Sequence, residues 1–319
     1  MKQLLYLAVL CSLCLLLTGC PARPVADKTV SARSGYAVTD DSGYTMLLAD
    51  KPKRIVSLAY SADEIILELV AQERILAFSR YAGDPEITFI TAEQAAKVGK
   101  RAVPYAEALI ALRPDLILAA PGTLRPEAVQ TLREVGIPVY ISKSPKSLPE
   151  VKQRIISLAR AVREEEQGQR MLAQMEQRLR QIEARLAPVT PANNKCAMAF
   201  DFIGVIGNRN NLLADIFQYA HLRNGALLAG SDQGENRLSK EQIIAANPDI
   251  FLLPTWNYDG HSDVDTYRRQ IMTDPALQHV AAVRDDQVKL VSDRYRYVGS
   301  QHVVESIEVF ARTAYPELF

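Results

Sequence analysis

At 319 residues the chain is long enough for two lobes of ordinary domain size, each with its own core. Hydrophobic residues make up 48% and charged residues 23%, and 37 Lys+Arg balance 37 Asp+Glu, giving a formal net charge of zero. That balance excludes a nucleic-acid footprint and a broadly basic membrane-binding face.

The first twenty residues, MKQLLYLAVLCSLCLLLTGC, open with Lys2 and carry an apolar run from Leu4 to Leu17. The run is shorter than the roughly 20 residues a spanning helix needs, so it predicts an export signal, not a membrane span. Its end, Leu17-Thr18-Gly19-Cys20, resembles the lipobox of bacterial lipoproteins, which implies that Cys20 becomes the lipidated first residue. A plain signal peptide containing three cysteines is the alternative. With Cys11 and Cys14 removed in the signal and Cys20 acylated, Cys196 alone remains, so neither an internal disulfide nor a Cys-based metal site is possible.

Residues 21–51, rich in Ser, Ala, Asp, Thr and Gly, read as a tether carrying one short strand near 44–48. Beyond them, short apolar runs predict strands at 55–59, 75–78, 116–120, 139–142, 196–202, 250–254 and 288–291. Amphipathic stretches at 62–70, 126–135, 214–219 and 301–313 predict helices between the strands. Continuously apolar strands joined through helices imply parallel sheets covered on both faces. The rhythm breaks at 148–186, which is helical in character throughout. Its second part, from Glu164 to Leu186, predicts one helix about 34 Å long with a sparse apolar stripe and an outer face kept soluble by pairs such as Glu176/Arg180. The expected class is therefore α/β: two Rossmann-like lobes with parallel sheets, at 52–162 and 191–319, joined by a long helix at 163–190, with a ligand cleft between them.

EALIALRPDLIL, from Glu107 to Leu118, recurs in shape as EQIIAANPDIFL from Glu241 to Leu252, with half the positions identical. In each, a short helix ends before Pro-Asp, because Arg113 and Asn247 precede proline and are pushed out of the α conformation. Ser239 and Gln242 fit a capping box, and Pro104 is placed at the other helix's start. A glutamate in a first turn stabilises its helix by about 0.3–1 kcal/mol through the macrodipole, and that suffices to explain either glutamate alone. Matched placement on two lobes goes further. It suits docking onto a two-fold symmetric partner with cationic pockets.

The lipobox, the two lobes, the long helix and the paired E-x-[LI]-I-A-x-x-P-D motif together resemble the iron-chelate/cobalamin class of ABC-transporter substrate-binding proteins. The likeness runs from about Lys51 to Phe319, opening on RIVSLAYSADEIILEL and closing on YPELF. It implies a rigid interlobe helix, small lobe movements, and one glutamate per lobe, Glu107 and Glu241, engaging arginines of a dimeric permease. It also implies a monomeric, lipid-anchored protein of the cell envelope. Two departures stand out: Tyr60 where the family usually has Pro, and His221-Leu222-Arg223-Asn224 where it commonly has Gly-Gly-x-Asn.

Ligands of open α/β sheets sit beyond the carboxyl ends of strands. Those positions hold Tyr60, Arg80, Tyr81, Arg209, Trp256, Tyr258, Arg294, Arg296 and Tyr297 as candidate ligand contacts. Rings bury apolar ligand surface, and guanidinium groups bind carboxylate, catecholate or hydroxamate oxygens. The set points to an anionic, partly flat chelate, a ferric siderophore or haem with a tyrosine as axial ligand. Cobalamin is the close competitor. Iron or cobalt would enter only within that ligand, with no resident cofactor, because His221, His261, His279 and His302 lack metal-site spacing. An enzyme on the same scaffold finds no support: G-x-S-x-G, H-E-x-x-H, the Walker loop and G-x-G-x-x-G are all missing, and GVIG at 204–207 is too weak. A lipid-anchored adhesin or sensor is the third class.

Overall fold

The structure, a computed structural model, describes residues 35–230, 238–257 and 260–319. Cys20, and with it the anchoring expectation, lies outside the described residues, as does Tyr258. The described chain begins with a β-hairpin, β1 (Tyr36–Thr39) and β2 (Thr45–Leu48), paired antiparallel from Tyr36↔Leu48 to Thr39↔Thr45. β2 is the short strand expected near 44–48, whereas β1 and the pairing were not expected, and the tether does not reach residue 51. Val38, Met46 and Leu48 enter the main core, and Asp40 ties the turn to the body, its Oδ2 accepting from Arg133 (3.0 Å) and from the Ile141 backbone (3.1 Å). The four residues of β1 carry too little period-two alternation to stand out from a Ser- and Asp-rich background.

The first lobe follows as β3 (Ile55–Ser57), α1 (Tyr60–Leu69), β4 (Ile75–Ala77), α2 (Ala92–Val98), α3 (Ala106–Leu112), β5 (Leu116–Ala119), α4 (Pro126–Glu134) and β6 (Val139–Ile141). Its sheet is wholly parallel, in the order β4-β3-β5-β6. Two helices come next, α5 (Leu148–Val162) and the long α6 (Glu165–Leu186). They part at Arg163, which takes the left-handed conformation at φ 55°. Gly168 sits where they cross, and a Cβ there would lie 2.6 Å from that of Ala159.

The second lobe runs β7 (Cys196–Asp201), β8 (Gly204–Ile206), α7 (Leu212–Tyr219), β9 (Arg223–Asn224), α8 (Gly225–Leu228), α9 (Lys240–Ala246), β10 (Ile250–Leu253), α10 (Val264–Thr273), α11 (Ala281–Arg284), β11 (Val288–Leu290), α12 (Asp293–Arg296) and α13 (Val303–Ala314). Its sheet has the order β11-β10-β7-β8, with β9 also on β7. All pairings are parallel except β7–β8, so GVIG is the return strand of a hairpin. Each predicted strand from 55 onward is present.

Alternate strand residues face different cores. Ile55, Leu116 and Leu118 of one sheet and Ala197, Ala199 and Leu252 of the other share a single apolar cluster with α1, α5, α6, α7 and α13. The opposite faces have separate clusters, Val56/Ile117/Ala119 in the first lobe and Met198/Phe200/Phe251 in the second. A helical layer common to both lobes thus joins them, and residues 35–319 form one compact unit. On α6 the buried stripe is Met171, Met175, Ile182 and Leu186, at helical spacing. Its polar face reaches outward to neighbours: Glu176 pairs with Lys152 of α5, not with Arg180, and Arg178 pairs with Glu308 of α13.

Candidate functional site: two matched helix starts and an aromatic wall at the strand ends

The repeated motif folds the same way twice. The helices α3 and α9 are each seven residues long, and each ends in a left-handed residue before proline, Arg113 (φ 50°) and Asn247 (φ 39°). The following strands, β5 and β10, are each four residues long and buried throughout. Glu107 and Glu241 both stand second in their helices, and both are exposed. At α9 the capping box is complete: Gln242 N–H donates to Ser239 Oγ (3.3 Å), and Ser239 N–H donates to Gln242 Oε1 (2.8 Å). Hydrogen bonds from its own backbone N–H and from the Ser239 side chain hold the Glu241 carboxyl below the usual range. The other helix lacks a side-chain cap, and Pro104 lies before its N-cap, Tyr105, instead of inside the first turn.

A second constellation lies at the carboxyl ends of β3, β4, β10 and β11, the edge where open α/β sheets take ligands. Tyr60 opens α1 directly after β3, and Tyr81 follows β4. Their rings meet edge to face at 5.8 Å, and Tyr81 meets Trp256, just beyond β10, at 6.0 Å. The Arg80 guanidinium lies 4.6 Å from the Tyr81 ring centre and donates to the Tyr81 hydroxyl (2.5 Å). Tyr60 donates its O–H to the Tyr297 carbonyl at 2.7 Å, so the wall continues across the lobes. Burial, then the neighbouring Glu64 carboxylate, pushes the Tyr60 phenol above its ordinary value, and it stays a donor.

Acidic residues that the sequence did not single out position this wall. Trp256 Nε1–H donates to Asp84 Oδ2 of the opposite lobe (3.2 Å), and the Thr255 hydroxyl donates to Glu86. The backbone N–H groups of Thr255 and Trp256 donate to Asp293 Oδ2 at 2.9 and 2.7 Å. Asp293 in turn pairs with Arg296 (2.6 Å), whose other terminal nitrogen donates to the Phe200 carbonyl. This corrects one expectation. Arg296 is 3% exposed and braces the Trp256 loop from beneath, so it is not a ligand contact.

Arg294 is half-buried against the rings of Phe89 (5.2 Å) and Tyr295 (4.9 Å), beside the wall. Arg209 is exposed, beyond β8. Among the described residues no group of three or more His, Cys, Asp or Glu is placed to hold a metal ion. Cys196 is buried, and burial pushes its thiol up to about 11.

Two α/β lobes on a shared helical layer, with strand ends of both meeting at the wall, are the architecture of a two-lobed binding protein. A family model for periplasmic binding proteins matches residues 55–295, and the chain belongs to that family. Among curated relatives, the Cobalamin-binding protein of Halobacterium salinarum (strain ATCC 29341 / DSM 671 / R1) is 25% identical over 237 residues, 73% of this chain and 62% of that protein. The chain thus spans less than two thirds of that relative's length. The Fe(3+)-citrate-binding protein of Bacillus subtilis (strain 168) is 21% identical over 295 residues, 90% of this chain and 88% of that one. Among solved structures, a periplasmic heme-binding protein from Roseiflexus sp. RS-1 in apo form superimposes with a TM-score of 0.69 at 24% identity, covering 84% of this chain and 99% of that chain. That likeness concerns the fold. All three are named as binding proteins.

Proposed function

We propose that this protein captures an anionic iron chelate, a ferric siderophore or haem, between its lobes and delivers it to an ABC-transporter permease. The observation that carries the reading is the ring series Tyr60–Tyr81–Trp256, drawn from both lobes and topped by the Arg80 guanidinium. Rings in that arrangement suit the flat apolar face of a chelate, and the guanidinium suits its anionic oxygens. Iron arrives as part of the cargo, with no resident cofactor. Because Tyr60 is committed as a donor to Tyr297, Tyr81 is the better-placed phenol for a haem iron. The iron-citrate and heme proteins among the similar proteins support this class. A corrinoid is the second reading, favoured by the cobalamin-binding relative.

The same proposal includes a monomer held at the membrane through Cys20, with Glu107 and Glu241 contacting a dimeric permease. The lipobox supports the first, and the exposure and equal placement of the two glutamates support the second.

Trp256 is the single tryptophan, so its emission reports ligand entry directly. Titration with haemin, a ferric tris-catecholate and cyanocobalamin should give saturating one-to-one quenching by an iron chelate. Arg80→Ala should weaken that complex by about tenfold through the lost charge-assisted bond. Tighter binding of cyanocobalamin, untouched by Arg80→Ala, would replace the iron reading with the corrinoid one. Turnover of any added substrate would overturn both.

A further inference from the structure

A set of buried polar contacts lies behind the wall, where the turn at 299–301 crosses from the second lobe onto the first. Glu64 of α1 is 2% exposed and Arg154 of α5 is 5% exposed. Arg154 Nη1 donates to the Gly299 carbonyl (2.9 Å) and to Ser61 Oγ (2.8 Å), and its Nε donates to Ser142 Oγ (2.9 Å). On the other side, Glu64 Oε2 accepts from Ser300 Oγ (2.5 Å), and the Glu64 carbonyl accepts from Gln301 Nε2 (3.1 Å). Glu64 Oε1 is held by Thr88 Oγ1 (2.8 Å) and Phe89 N–H (3.0 Å). A buried cation and a buried carboxylate of one lobe therefore hold Gly299 and Ser300 of the other, and the Glu64 backbone carbonyl holds Gln301.

Two charges this deep would be costly without close partners; Ser61, Ser142, Thr88 and Phe89 of their own lobe supply most of them, and the turn completes each set with the Gly299 carbonyl and the Ser300 hydroxyl. The geometry is tight. A Cβ on Gly299 would lie 3.2 Å from Arg154 Nη1 and 3.3 Å from Ser61 Cβ. The grip is also next to the wall in sequence on both sides: Ser61 follows Tyr60, and Gly299 comes two residues after Tyr297.

We propose that Glu64 and Arg154 are positioning residues that set the angle between the lobes by clamping the 299–301 turn, and thereby set ligand affinity from outside the cleft. The affinity part rests on the binding function proposed above; the angle part does not. A slip of the turn moves Tyr297 against Tyr60 and Trp256 against Asp84 together, so the wall loses its continuity as a unit.

The test uses the full-length protein with Ser300→Ala, Gly299→Ala and Arg154→Lys, each checked by far-UV circular dichroism. Ile307→Val is a control that loosens the shared core without touching the clamp. Acrylamide quenching of Trp256 without any ligand should rise about twofold in the clamp variants and stay unchanged in the control, because the minor open arrangement gains population. Affinity for whichever of haemin, ferric tris-catecholate or cyanocobalamin the parent protein binds should fall by about tenfold. Unchanged Trp256 shielding in every folded clamp variant overturns the proposal, and so does an equal rise in the control. If the parent protein binds none of the three probes, the ligand reading fails while the shielding measurement still decides the clamp. Should one substitution prevent folding, the other two carry the test.

Discussion

Asp63 shows how far a side chain's chemistry can be set by depth. It stands in the first turn of α1, fully buried, and accepts from the Ser79 hydroxyl (2.6 Å) and backbone N–H (3.1 Å). Burial pushes its carboxyl up to about 8, and the hydrogen bonds from Ser57 and Ser79 offset only part of that. The unfolded chain releases the same proton near the ordinary aspartate value, so between about pH 4 and 8 the folded state binds one proton more. This group's contribution to stability is therefore full in acid, declines as pH rises through that window, and is level above it. Melting temperatures of the parent and of Asp63→Asn across pH 4 to 9 should differ in slope, the parent falling more steeply; parallel curves would refute the assignment. Depth explains Arg296 as well. In sequence it is one of two arginines in RYRY, and nothing in that string separates the one half-buried against Phe89 from the one buried on Asp293.

Among the elements, α3 and α9 carry the two glutamates of the proposed permease contact. Local chemistry makes both: a proline two places after the last helical residue, a left-handed residue between, and four apolar residues to fill the sheet. Helices this short are marginal alone, and their strands anchor them. Glu107→Ala and Glu241→Ala together should reduce cellular uptake by more than about tenfold if, as proposed, each removes a charged contact at the permease and not at the ligand. The purified double variant should bind its ligand as the parent does. Loss of binding in that variant would assign the glutamates to the cleft and end the docking role.

Across the whole molecule, the shared core limits what the lobes can do. Phe310, Ile155 and Phe217 belong to one cluster with strands of both sheets, and burying each such side chain contributes about 1.5–3 kcal/mol. Large hinge opening would expose that layer, which favours small rotations such as those the proposed clamp at the 299–301 turn would govern. No helix among the described residues is long and apolar enough to cross a membrane. Membrane attachment accordingly rests on Cys20 in the proposed reading, and Cys20→Ser should shift the protein from the membrane pellet to the soluble fraction. Continued sedimentation with membranes, with the signal shown to be removed, would exclude the acyl anchor.

Strands of four apolar residues, the α6 stripe, the capping box at Ser239 and the twin E-x-[LI]-I-A-x-x-P-D motifs were all legible in the amino-acid order, because each depends on neighbours within a turn or two. Of the hairpin at 36–48 only the second strand was, since the alternation at 36–39 is too short to rise above its composition. Nor were the contacts that make the site: Tyr60 with Tyr297, Asp84 with Trp256, and Glu64 and Arg154 with the 299–301 turn. Those partners are far apart along the chain, and no periodicity links them. They meet only because five helices packed between two sheets bring the strand ends of both lobes to one edge, which local propensity does not encode and tertiary packing decides.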